Sequence, residues 1–204
     1  MKVGINIMTL PNKLTLLRII LIPVMIIIFY IPWFSENFVP VLDMSWLYLI
    51  EFVIFAIASF TDFLDGNIAR SKGLVTTFGK FADPLADKML VFSAMAILMV
   101  SARNDLVTGS VMPMWVFVIM IIREFMVSGI RMLVASRGVV IPAGKLGKFK
   151  TFSTMVAICI LFFSQTHIAV AYVGQIIMYI ACLFTVISGA EYFWQSRKVI
   201  FESI

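Results

Sequence analysis

The chain has little charge, one histidine and two cysteines. Asp, Glu, Lys and Arg make up 13% of its 204 residues, and 62% are hydrophobic. Soluble domains carry about 25% charged and roughly 45–50% apolar residues. Even a large soluble core could not hide this much apolar surface, and a mean hydropathy of +1.05 points to lipid as the solvent. The cysteines, Cys159 and Cys182, lie within apolar runs without CxxC spacing. They read as small lipid- or core-facing residues rather than a metal or dithiol pair. No repeat, low-complexity segment or convincing GxxxG stripe is present. The first apolar run is long and has no small-residue cleavage site, so a cleavable signal is not expected.

What remains is an all-α polytopic membrane protein, expected as a single domain over residues 1–204. Six apolar spans are predicted at about 14–34, 44–70, 79–100, 112–135, 149–165 and 169–194. Residues 1–12 are expected to form a short interfacial helix, and Pro23 is a candidate kink in the first span. If deeper residues are assigned to their nearest end, fifteen of the sixteen Lys and Arg residues fall on one side. Only Arg103 faces the other way. The bias predicts that both termini are cytoplasmic. The net charge of +5 therefore reads as loop charge and headgroup contact rather than nucleic-acid binding.

Against this background, residues 62–87 stand out: DFLDGNIARSKGLVTTFGKFADPLAD. They place Asp62, Asp65, Asp83 and Asp87 in otherwise apolar sequence. At 100° per residue, Asp62, Asp65, Gly66 and Ala69 share an arc of about 100°. Gly79, Asp83 and Asp87 repeat at i, i+4, i+8 and form a second stripe. Asp62 and Asp87 lie roughly 12 Å along their helices from the cytoplasmic end, and Asp65 and Asp83 roughly 6–8 Å. Such carboxylates repel one another unless cations or protons compensate them. Hard cations such as Mg²⁺ or Mn²⁺ would do so. His167 falls in the opposite loop, so nothing argues for a softer ion. Gly66 and Ala69 leave room for a ligand to approach the backbone, and Arg70 can hold a phosphate. Pairing with basic residues, or proton relay in a transporter, are the competing readings.

The pattern Asp62-x2-Asp65-Gly66-x2-Ala69-Arg70-x8-Gly79-x3-Asp83-x3-Asp87 resembles the signature of the CDP-alcohol phosphotransferase family, with every fixed position filled. The resemblance implies two divalent metal ions held by Asp62, Asp65, Asp83 and Asp87, and a homodimer. It also implies a CDP-linked donor whose β-phosphorus is attacked by an acceptor hydroxyl, releasing CMP. Asp87 is the candidate base. Gly66, Ala69, Arg70 and Gly79 would line the CDP pocket. Asn12-x2-Thr15-x2-Arg18 resembles the family's added nucleotide contacts.

The segment IREFMVSGIRMLVASRGVVIPAGKLGKFKT resembles the phosphatidylglycerophosphate synthase branch of that family. Arg123, Arg131, Lys145, Lys148 and Lys150 form a cationic set that could clamp a second phosphate, as a phosphorylated acceptor needs. Ordinary loop charge is the alternative, above all for Arg137, and Arg123 could instead pair with Glu124. The Ile141-Pro142-Ala143-Gly144 run departs from the smaller, more polar residues expected there. The resemblance implies transfer from CDP-diacylglycerol to glycerol 3-phosphate in a bacterial plasma membrane, with the site facing the cytoplasm. Inositol phosphate, or phosphatidylglycerol as in a cardiolipin synthase, are the alternative acceptors.

Overall fold

The computed structural model describes residues 10–72, 77–101, 111–138 and 144–201. Among the described residues the backbone forms seven helices and one small hairpin: α1 (Leu10–Phe29), α2 (Pro32–Glu36), β1 (Phe38–Val39), β2 (Met44–Ser45), α3 (Trp46–Lys72), α4 (Thr77–Ser101), α5 (Met114–Ser136), α6 (Lys145–Leu161) and α7 (Ile168–Phe201). The six long helices fall on the six predicted apolar runs. Among the described residues two stretches, Asn12–Phe29 and Ile168–Arg197, are long and apolar enough to cross a membrane. The chain divides into two compact units, Met1–Ile97 and Leu98–Ile204.

In the first unit α1 packs against α3. The predicted first span ran to Phe34, but α1 ends at Phe29 and Pro32 opens the separate five-residue α2. Proline suits a first helical turn, where its missing N–H has no intrahelical partner to serve. The hairpin was not expected from an all-α reading. It pairs Phe38 with Ser45 and Val39 with Met44. Its loop turns through Pro40, and Asp43 sits at φ 49°, a region that Asp tolerates better than most side chains. Residues 10–12, assigned to an interfacial helix, are instead the first turn of α1, and residues 1–9 lie outside the described residues. The helix runs through Pro23 without a break.

Along α4, Ala82, Ala86, Leu90 and Ala94 form a buried stripe. Small residues at this period let a neighbouring helix approach closely. The Gly79–Asp83–Asp87 stripe lies one residue away, on the shoulder of this packed face. Along α3, Glu51, Phe55 and Ala58 are fully buried. Positions 62, 65 and 69 continue that line at helical spacing.

In the second unit, α7 packs along α6 and α5. Along α7, Ala171, Gly174, Met178, Ala181, Thr185, Ser188 and Tyr192 form a buried stripe at alternating spacings of three and four, with Cys182, Gly189 and Ser196 also buried. Its exposed positions carry Ile176, Leu183, Val186 and Trp194. Small and hydroxyl-bearing residues inside, with large apolar residues outside, is the reverse of a water-facing helix and suits a lipid-facing one. At Gly174 a Cβ would come within 2.6 Å of Leu161 Cδ2, so the glycine permits the close α6–α7 approach. Trp115 of α5 stacks on Tyr179 of α7 with centroids 5.7 Å apart. The two cysteines are free, Cys182 buried and Cys159 half-buried. His167 caps α7, its Nδ1 accepting the Ala169 N–H at 3.1 Å.

Glu51 is the acid that the sequence reading did not single out. It is 0% exposed, and neither carboxylate oxygen has a hydrogen-bond partner among the described residues. A buried polar group without a partner costs about 1–3 kcal/mol. Glu51→Leu, of similar volume, is therefore expected to raise the thermal unfolding midpoint in detergent. A lower midpoint would show that the carboxyl has a stabilising partner.

Candidate active site

The site residues of the first unit come from three helices. On α3 the backbone is helical through Asp62, Asp65, Gly66, Ala69 and Arg70, so all five lie on the predicted element. Their side chains, and the link 73–76, lie outside the described residues. On α4, Gly79 is buried and Asp83 and Asp87 are half-buried on one stripe. Pro84 follows Asp83 directly and has no N–H to offer the Lys80 carbonyl, which loosens the helix beside the carboxylates.

The contribution of α1 is specific. Thr15 is fully buried, and its hydroxyl donates to Asp83 Oδ1. A residue assigned to the nucleotide side thus orients an expected metal ligand. A carboxylate oxygen that accepts such a bond is fixed in direction and its charge is partly compensated. Asn12 lies one turn earlier on the same helix, half-buried. Arg18 is 1% exposed, and its Nε donates to the Ala58 carbonyl at 3.3 Å. Thr61 Oγ1 donates to the same carbonyl at 2.8 Å. Arg18 therefore ties α1 to α3 one turn before Asp62, a helix-joining contact that motif reasoning had not assigned to it.

Among the described residues no three His, Cys, Asp or Glu side chains gather as a metal cluster. The side chains of half of the expected set, Asp62 and Asp65, lie outside those described. The donor chemistry suits a hard divalent ion: the expected donors are all carboxylates, and the one pair described repeats at i, i+4 on a single stripe.

The second unit holds the expected phosphate-binding cations. Arg123 Nη1 donates to Glu124 Oε1 at 3.0 Å, and Lys150 Nζ donates to the same oxygen. Arg123 Nη2 donates to Ser188 Oγ of α7 at 2.9 Å. The structure thus brings Arg123 and Lys150 together, from α5 and α6, on one carboxylate. Arg131 stands over the Tyr192 ring at 5.8 Å, again against α7. Lys148 is exposed, as is Arg137 at the end of α5. Lys145 opens α6, and its side chain lies outside the described residues. Sequence reasoning missed Ser188, Gly189 and Tyr192. Their available signal was the period of small and hydroxyl residues along the last span.

Residues 8–187 match the family model for CDP-alcohol phosphatidyltransferases. The chain belongs to the CDP-alcohol phosphatidyltransferase family. Among its relatives is the CDP-diacylglycerol–glycerol-3-phosphate 3-phosphatidyltransferase of Bacillus subtilis, 39% identical over 200 residues, covering 93% of this chain and 97% of that one. The Rickettsia felis protein of the same name is 38% identical over 192 residues, 93% of this chain and 96% of its own length. A probable phosphatidylglycerophosphate synthase of Mycobacterium tuberculosis is 37% identical over 190 residues, 92% of this chain and 81% of that one.

For a CDP-alcohol phosphatidyltransferase, the Thr15–Asp83 bond makes a direct prediction. A hydrogen bond to a charged group contributes about 1.5–3 kcal/mol. Thr15→Val, which keeps shape and removes the donor, is expected to lower turnover by about tenfold, while Thr15→Ser keeps most of it. Wild-type turnover in Thr15→Val would show that Asp83 is oriented by other groups.

Proposed function

We propose that this chain transfers the phosphatidyl group of CDP-diacylglycerol to glycerol 3-phosphate, giving phosphatidylglycerol phosphate and CMP. It is a CDP-diacylglycerol–glycerol-3-phosphate 3-phosphatidyltransferase of phospholipid biosynthesis. The observation that carries the reading is the family match over residues 8–187 together with relatives of that name, which align with nearly the whole chain. The filled positions of the aspartate motif, which lie within the matched residues, fit its CDP-linked donor.

The roles follow from the residues. Asp62, Asp65, Asp83 and Asp87 would hold two divalent ions, Mg²⁺ or Mn²⁺. Such ions neutralise diphosphate charge and align the attacking and leaving oxygens. Thr15 fixes the direction in which Asp83 presents its oxygens. Gly66, Ala69 and Gly79 leave space for the cytidine diphosphate against the helix backbones, Arg70 pairs with its phosphate, and Asn12 adds a polar contact. Asp87 takes the proton of the glycerol 3-phosphate hydroxyl. The hydroxyl oxygen then bonds to the β-phosphorus, the bond from that phosphorus to the CMP oxygen breaks, and CMP departs with the electron pair. Arg123, Arg131, Lys145, Lys148 and Lys150 receive the acceptor's own phosphate, which an unphosphorylated alcohol would not need.

The same reading places the protein in the bacterial plasma membrane as one catalytic domain of six spans, with both termini and the site on the cytoplasmic side. Lysine and arginine bias supports that orientation. A homodimer is part of the proposal.

The test is CMP release by purified protein with Mg²⁺ or Mn²⁺, CDP-diacylglycerol and a panel of acceptors. Glycerol 3-phosphate is expected to be the active acceptor, and Asp62→Asn and Asp83→Asn to abolish turnover without unfolding the protein. Release with inositol phosphate or phosphatidylglycerol alone would overturn the acceptor. No release with any acceptor would overturn the reaction.

A further inference from the structure

Arg123, Glu124 and Lys150 make a cluster in which Glu124 has no role assigned so far beyond pairing with Arg123. Their side chains are 14%, 13% and 11% exposed, so all three charges are largely out of water. Two cations share a single carboxylate oxygen, which leaves the three charges at a net +1. Neighbours at i and i+1 on a helix point about 100° apart and do not face each other by default. Arg123 is bent to Glu124 by what lies behind it.

That backing is α7. The Ser188 hydroxyl donates to the Thr185 carbonyl at 3.2 Å, so its lone pairs are turned towards Arg123 Nη2. Gly189 provides the room: a Cβ there would stand 3.1 Å from Arg123 Cγ and 3.8 Å from its Nε. Arg123 Nε itself is buried and has no acceptor among the described residues. The side chains therefore form one ordered run across three helices, from the Thr185 carbonyl through Ser188, Arg123 and Glu124 to Lys150. It includes a buried N–H donor, Arg123 Nε, without an acceptor among the described residues.

We propose that Glu124 is a positioning residue for the phosphorylated acceptor. Its carboxylate holds Arg123 and Lys150 side by side, so the acceptor's phosphate meets donors already placed instead of two repelling, mobile cations. Ordering long side chains before the ligand arrives removes that cost from binding. The inference rests on glycerol 3-phosphate being the acceptor, and it adds a role for an acid where phosphate recognition alone would ask only for bases.

The experiment is steady-state CMP release in detergent–lipid micelles with Mg²⁺, varying glycerol 3-phosphate and CDP-diacylglycerol in turn. The variants are Glu124→Gln, Glu124→Asp, Lys150→Met and Glu124→Gln combined with Lys150→Met. Glu124→Gln is expected to raise KM for glycerol 3-phosphate about tenfold. It should leave kcat and KM for CDP-diacylglycerol within about twofold. Glu124→Asp, which keeps the charge, should show a smaller rise. The double variant should raise KM by less than the product of the two single effects, because part of what Glu124 does is exerted through Lys150. An unchanged KM in Glu124→Gln would overturn the proposal. So would a joint change in kcat and both KM values with a lowered unfolding midpoint, or effects that multiply in the double variant. Should Glu124→Gln fail to fold, Glu124→Asp carries the same comparison of the two KM values. No CMP release by the wild-type protein with glycerol 3-phosphate would instead overturn the acceptor assignment on which the proposal stands.

Discussion

A carboxylate set among apolar helices is costly unless something compensates it, and this constraint acts in both halves of the chain. Removing one partner of a buried charge costs far more than a surface pair contributes. The protein meets the constraint in two ways. Asp83 takes a hydroxyl from Thr15, which joins α1 to α4. Glu124 takes two cations, which joins α5 to α6, and Arg123 carries the link to Ser188 on α7. In each unit these polar contacts tie neighbouring helices together beside packing built from alanine, glycine and large apolar side chains.

The same arrangement lets one small chain combine rigid and reactive parts. The buried alanines of α4 hold the helix closely, and the stripe beside them presents Gly79, Asp83 and Asp87. Arg18 fixes α1 to the Ala58 carbonyl, one turn from where the α3 motif begins. A diphosphate ester needs its charge neutralised and its reacting oxygens held in line, and side chains on packed helices hold geometry better than loops do.

Much of this was legible in the sequence because its signals are periodic. Six apolar runs predicted six long helices, and the spacing of Gly79, Asp83 and Asp87 predicted their common stripe on α4. The end of the first span was misread because Pro32 and the Phe38–Ser45 hairpin are set by local turn chemistry that hydropathy does not register. Tertiary partners were harder still. Thr15 was read as a nucleotide contact, yet it also bonds to Asp83, sixty-eight residues away. Pairing of Arg123 with Glu124 or another acid was one of two readings left open, and Lys150 and Ser188 join them only through helix packing. Glu51 escaped notice because a lone acid in an apolar run has no spacing partner to mark it.

The claim on which the account depends most is that the motif aspartates are compensated by hard divalent ions. Electron paramagnetic resonance of Mn²⁺ titrated into the purified protein tests it without relying on turnover. Two bound Mn²⁺ per chain are expected, with spectra broadened by their mutual coupling, and Asp62→Asn or Asp83→Asn should lose this binding while retaining helicity. Binding no stronger in wild-type protein than in those variants would contradict the account.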